Sequence, residues 1–425
     1  MNYLDGLLFE PLTVCGHGLP STWRYMLPRE FALLKLPKES LATCDNCPMV
    51  AIGAYSAKVR CCTHFAQIPN FQLGLSLKDP SSRELARAVI QKGYALPDGT
   101  DITPTHYLTT ASAYEAGLFG KSEALLCPFA ADDTGNCGIY PFRSAVCATF
   151  HCGRDHCEAG SAYWGIMENL VGQVETALSQ WAMGKAGLDV CAYIERRNQL
   201  AGGVATLSGE NTKSWSISVR QHLFGDFFGR EEAFFEACAD HIATHREELW
   251  QIACAQPVLT ADEYDSAVEQ LVASAAPDEN LPGAHSYSNA EPTSIETLWR
   301  VLEAATAALW SLPLDTGTVA LSNRITIEAN PMNDPVSRLY ENKSFRLICP
   351  TSGDIDDTDD DEDLEALPSE VFLTAAEREA LRLFESPRTI DQFLLDTPEL
   401  SALENPKDFL AECLRCGILC KSDEI

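Results

Sequence analysis

Positive charge is scarce in this chain: 31 lysines and arginines stand against 61 aspartates and glutamates, for a formal net charge of −30. Polyanions are bound by neutralising phosphates with Lys and Arg, so no nucleic-acid partner is expected. No apolar run approaches the ~20 residues that span a bilayer, so no membrane partner is expected either. The first twelve residues carry Asp5 and Glu10 and lack the basic start of a secretory leader. The expectation is a cytoplasmic protein in a reducing compartment, where cysteines are metal ligands or buried thiols in preference to disulfides.

Familiar catalytic signatures are missing as well. Gly117-Leu118-Phe119-Gly120-Lys121-Ser122 closes like a phosphate-binding loop, but Glu115 stands where the first glycine belongs. Neither Gly202-Gly203 nor Cys15-Gly16-His17-Gly18 lies in the strand–helix context of a dinucleotide fingerprint. There is no nucleophile elbow. His241 and His245 sit one helical turn apart without the glutamate of a zinc-protease motif, and read as a solvated polar face. The run Asp354 to Asp363 lacks the alternate spacing and glycine of a calcium loop and reads as a solvated linker.

What the chain has is cysteine. Nine of its 17 fall between Cys44 and Cys157, in two packets. The first is Cys44 and Cys47 followed by the adjacent pair Cys61-Cys62; the second is Cys127, Cys137, Cys147, Cys152 and Cys157. Soft metals need three or four converging thiolates, and a two-residue gap lets one turn supply two of them. His64, His151 and His156 lie beside these cysteines as possible ligands or outer donors, though each also reads as an ordinary loop histidine. Cys413, Cys416 and Cys420 show ligand-like gaps too, but are only three, and the first two fit a buried helix face.

The stretch Cys127-Pro128-Phe129, then Cys137-Gly138-Ile139-Tyr140-Pro141-Phe142-Arg143-Ser144-Ala145-Val146-Cys147-Ala148-Thr149-Phe150-His151-Cys152, resembles the zinc- or iron-chelating cysteine-cluster family, the CxxCxxCC or YkgJ-like proteins. The resemblance covers about residues 40–160. It departs from the family at Ser144 and Ala148, where the pattern has proline and arginine, and in the 13 residues that separate Cys47 from Cys61. Position by position it nominates Cys44, Cys47, Cys61, Cys62, Cys127, Cys137, Cys147 and Cys152 as metal ligands. Arg143, a charged residue in the cluster loop, reads as buttressing the site by hydrogen bonds to carbonyls or sulfurs. The metal is an iron–sulfur cluster or zinc; the all-thiolate set and the vicinal pair lean toward iron–sulfur. Relatives implied by the resemblance include iron–sulfur-dependent lysine N-methylases that modify protein side chains.

A chain of 425 residues exceeds one ordinary core. The reading is an α+β protein in four parts. Residues 1–160 form a loop-rich cysteine-cluster metal domain, with Leu33–Leu36 and Ala124–Leu126 as short strands and Ser81–Lys92 as a helix. Residues 161–350 are mainly helical with a short β segment, opening on the helix that Trp164, Met167, Val171, Val174, Leu178 and Trp181 define by their spacing. Residues 351–369 form the acidic linker. Residues 370–425 open on the capping box Thr374-Ala375-Ala376-Glu377 and follow the order of a winged-helix-like module. Metal binding is the minimum function, in a redox or protein-interaction module with a protein or peptide partner. The alternative is an enzyme that modifies a protein or peptide; a closed four-thiolate site favours the first and an open three-thiolate site the second.

Overall fold

The computed structural model describes residues 6–37, 47–51, 53–131, 136–151, 157–275, 294–310, 318–322, 325–329, 345–349, 369–389, 393, 406–415 and 418–421. It is a mixed α+β structure, mostly helical with few and short strands. Two compact units account for the chain. One comprises Met1–Leu33, Gly53–Phe150 and Met167–Trp299; the other comprises Leu34–Ile52, His151–Ile166 and Arg300–Ile425. Neither follows a single stretch of sequence, so they cut across the four intervals expected above.

In the first unit a hairpin of β1 (Leu12–Val14) and β2 (His17–Leu19) is followed by α1 (Asn70–Lys78) and α2 (Arg83–Gln91). The pair β3 (Ala95–Leu96) and β4 (Gly99–Thr100) leads to α3 (Pro104–Glu115), the five-residue α4 (Ala145–Thr149) and, from Met167 onward, the long α5 (Cys157–Lys185). Then come α6 (Val190–Asn198), α7 (Ile217–Phe224), α8 (Glu231–Thr244) and α9 (Asp262–Ala275). α1 is buried from Asn70 to Leu77, on every side. It packs so closely on α8 that a Cβ on Gly74 would lie 2.0 Å from the Phe235 carbonyl oxygen.

The region expected to be loop-rich thus holds three helices of nine residues or more. All-round burial removes the polar face that makes a helical period visible, which is why α1 escapes a periodicity reading. Leu33 and Ala124–Leu125, expected as strands, belong to 3₁₀ turns at Arg29–Leu33 and Glu123–Leu125. The two helices expected over 81–92 and through 164–181 are present as α2 and α5.

Among the described residues the second unit contains α10 (Ile295–Leu309) from Arg300 onward and six strands. β5 (Thr318–Leu321) is the middle of a three-stranded antiparallel sheet with β9 (Arg388–Thr389) and β10 (Leu419–Lys421). β6 (Thr326–Ala329), β7 (Phe345–Cys349) and β8 (Ser369–Leu373) form another, with β7 central. α11 (Ala375–Arg382) opens with the capping box: Glu377 N–H donates to Thr374 Oγ1 at 3.1 Å, and Thr374 N–H to Glu377 Oε2 at 2.6 Å. With α12 (Pro406–Arg415) it encloses a core of Leu373, Leu381, Phe384, Phe393, Leu410 and Ile418, to which Ile325, Ile327 and Phe345 also pack. The last 50 residues therefore share strands and core with residues 318–349. The acidic run Asp354–Asp363 lies outside the described residues.

Candidate metal centre

Three segments of the first unit carry the cysteines of interest. Cys61 and Cys62 lie in a turn entered through Arg60, whose φ of +54° is a left-handed conformation unusual for a side chain of that size. Cys127 is tied to that turn by the backbone: its N–H donates to the Cys62 carbonyl at 2.6 Å. Cys137 is tied to the Cys127 loop by an antiparallel bridge with Ala130 and by the Gly138 N–H to the Phe129 carbonyl at 2.9 Å. Arg60 closes the third side, donating from Nη1 to Asn136 Oδ1 at 2.5 Å. Cys147 enters on α4, the helix that follows the Tyr140–Phe142 turn.

The Ile-Tyr…Arg stretch before α4 is anchoring. Ile139 and Phe142 are buried in the core. Arg143 donates from Nη2 to the Gly18 carbonyl at 2.6 Å and from Nε to the Tyr140 carbonyl at 3.1 Å, with its guanidinium 3.7 Å from the Tyr140 ring centre. It thereby fixes the turn between Cys137 and Cys147 against β2.

The electrostatics connect the sulfurs of Cys62, Cys127, Cys137 and Cys147. Burial pushes Cys127 up to about 11, and a charge on Cys62 adds to that. Burial pushes Cys137 up to about 12, with Cys127 and Cys62 in the same direction. Cys147 is raised further by burial and by Cys127, Cys137 and Cys62 together. Cys62 is raised most, first by its hydrogen bond with Cys61 and then by burial. Each thiol thus opposes charge on the others, the behaviour of like groups gathered in one buried place.

Opposing forces favour thiolate. Backbone N–H groups of Phe129 and Ala66 bond the Cys127 sulfur, and that of Ile139 bonds the Cys137 sulfur. Arg60 acts on Cys62, Arg143 on Cys137 and Cys147, and Lys213 on Cys127. Lys213 reaches the loop from far along the chain, its Nζ donating to the Leu126 carbonyl at 2.6 Å. Burial lowers the Lys213 ammonium, and burial together with Lys213 holds the enclosed His106 down at about 4. Nothing in sequence spacing marks Lys213. Arg60 and Asn136 gave no signal either, since each acts only once two loops are folded together.

A four-thiol donor set of this kind fits a soft metal. Among the described residues, no three or more His, Cys, Asp or Glu side chains are drawn in to the separation of ligands on one ion. The remaining sequence candidates distribute as follows. Cys61 lies beside Tyr114, which stacks on Phe119 at 4.9 Å. Cys47 belongs to the second unit, immediately before a short helix at Pro48–Ala51. Cys44, Cys152 and His156 lie outside the described residues, and so does the side chain of Cys157 at the start of α5. His64 ends the Cys61-Cys62 turn, and His151, in the second unit, packs on Trp164 with ring centres 4.4 Å apart. Cys413 is part of the second unit's apolar core, while Cys416 and the Cys420 side chain lie outside the described residues.

The rejected motifs have other work. Gly120 N–H is held by Thr63 Oγ1 at 3.0 Å and its carbonyl by Ser56 N–H at 2.8 Å, so this loop packs against the Cys61-Cys62 turn. His241 and His245 set their rings edge-on to Trp181 at 6.4 and 5.2 Å. Among the described residues no helix is long and apolar enough to cross a membrane. Comparison of the chain with protein-family models, with curated proteins and with solved structures finds no match.

Proposed function

We propose that the first unit is a thiolate metal centre with Cys62, Cys127, Cys137 and Cys147 as its ligands, and that the protein is a cytoplasmic metal-binding module. The observation that carries this reading is that backbone bonds tie the Cys62 turn, the Cys127 loop and Cys137 together, and that Cys62, Cys127, Cys137 and Cys147, one buried and three half-buried, act on one another's charge there. A divalent ion or an iron–sulfur cluster would supply the positive charge that four buried thiolates need. The N–H groups aimed at the sulfurs of Cys127 and Cys137 support it, since donors to sulfur stabilise a metal-bound thiolate. Binding would draw the four sulfurs inward. The likeness to the zinc- or iron-chelating cysteine-cluster proteins points the same way.

A four-thiolate site is coordinatively closed, and this favours the binding-module reading over a lysine N-methylase-like enzyme. A protein or peptide is the partner expected of such a module. The order α11, β9, α12, β10 supports a winged-helix-like fold for the tail, with β5 as an added strand. Titration of reduced, metal-free protein with Co²⁺ tests the centre. One equivalent should give intense sulfur-to-cobalt absorption that Cys62→Ser, Cys127→Ser, Cys137→Ser and Cys147→Ser each weaken and Cys191→Ser does not. Absorption untouched by all four changes would refute the ligand set.

A further inference from the structure

α4 has only five residues, carries Cys147 at its centre, and lacks a cap of its own. Ser144 stands at the N-cap position, but its hydroxyl makes no capping bond and is buried without a hydrogen-bond partner. The buried N-terminal end of so short a helix leaves N–H groups that need an acceptor. One is supplied from α5: Glu175 Oε2 accepts the Ala145 N–H at 3.0 Å. The other oxygen, Oε1, accepts from Gln72 Nε2 of α1 at 3.1 Å. Gln72 in turn reaches Thr22 Oγ1 at 3.3 Å.

Glu175 is 5% exposed, and none of its hydrogen-bond partners carries a charge. A buried carboxyl without a cation is costly, so one held this way by α1 and α4 has a positional task. The far end of α4 is tied to the same helix, where Thr149 Oγ1 donates to Glu168 Oε2 at 3.2 Å. α5 therefore grips α4 at both ends, with Cys147 between.

The geometry points to Glu175 as the positioning residue of Cys147: it caps α4 from α5 and fixes the depth at which the Cys147 thiol is presented. Its bearing on a metal rests on Cys147 being a ligand, but the positioning itself is measurable without any metal.

Iodoacetamide labelling of chelator-treated, full-length protein, read residue by residue by mass spectrometry, tests it. Glu175→Ala should raise the labelling rate of Cys147 about tenfold, the factor expected when one buried hydrogen bond is lost. Cys238, wholly buried on α8, reports general loosening and should keep its wild-type rate. Glu175→Gln should stay within about twofold of wild type, because an amide oxygen still accepts from Ala145 and the unpartnered Gln72 Oε1 can take the new N–H after a flip. An unchanged Cys147 rate in Glu175→Ala would overturn the proposal. So would an equal rise at Cys238, or a Glu175→Gln protein as reactive at Cys147 as Glu175→Ala. Failure of the metal reading would appear separately, as protein that binds no metal with Cys147 labelling still controlled by Glu175.

Discussion

At the scale of single residues, Cys127, Cys137 and Cys147 owe their raised values to burial first and then to neighbouring thiols, and Cys62 to its hydrogen bond with Cys61 and then to burial; a bound cation would oppose these shifts. Because metal binding to such a set is coupled to folding, Cys137→Ser and Cys147→Ser should lower the thermal midpoint of metal-loaded protein well beyond Cys191→Ser, which alters an exposed thiol. Equal midpoints for all three would contradict the assignment. Glu175 adds a pH dependence whose sign is fixed by its direction of shift. Burial raises its folded value to about 8 from 4.5, against the hydrogen bonds from Ala145 and Gln72. The folded chain therefore holds this proton more tightly than the unfolded chain, and the stabilisation, complete below about 4.5, is lost as pH rises through about 8. Urea midpoints of wild type and Glu175→Gln should diverge in favour of the variant between these values. A gap independent of pH would show that Glu175 does not titrate in this way.

At the scale of elements, the closest packing is between α1 and α8. Gly74→Ala would set a methyl 2.0 Å from the Phe235 carbonyl and 2.9 Å from the Ala239 Cβ. Neither helix can yield cheaply, so a loss of about 1–3 kcal/mol in urea unfolding is expected. The capping box of α11 is worth less: Thr374→Ala should cost about 1 kcal/mol, read in the same way. That box was legible in the sequence because its four residues make a local, self-contained bond pattern. α5 was legible because apolar residues recur along it. α1 was not, being buried all round, and the hairpin of β1 and β2 rests on a Cys15-Gly16 turn with positive φ at both residues that three-residue strands do not advertise. Of the candidate site, spacing could nominate the cysteines but could not group them. Which sulfurs gather depends on the Cys127–Cys62 and Cys137–Ala130 backbone bonds, and these are long-range. Glu175 did carry a sequence signal, a carboxylate one turn from Val171 on the apolar face of α5.

At the scale of the whole molecule, both compact units are discontinuous in sequence, so each depends on chain closure between distant segments. The first contains the four-thiol site and the second the paired sheets and their shared core. A net charge of −30 disfavours the binding of phosphate polymers. The central claim is that Cys62, Cys127, Cys137 and Cys147 hold a metal. Iron, zinc and acid-labile sulfide measured on anaerobically purified protein test it most directly. Stoichiometric zinc, or iron with matching sulfide, is expected, reduced in each of the four serine variants. Folded protein with neither metal would contradict it.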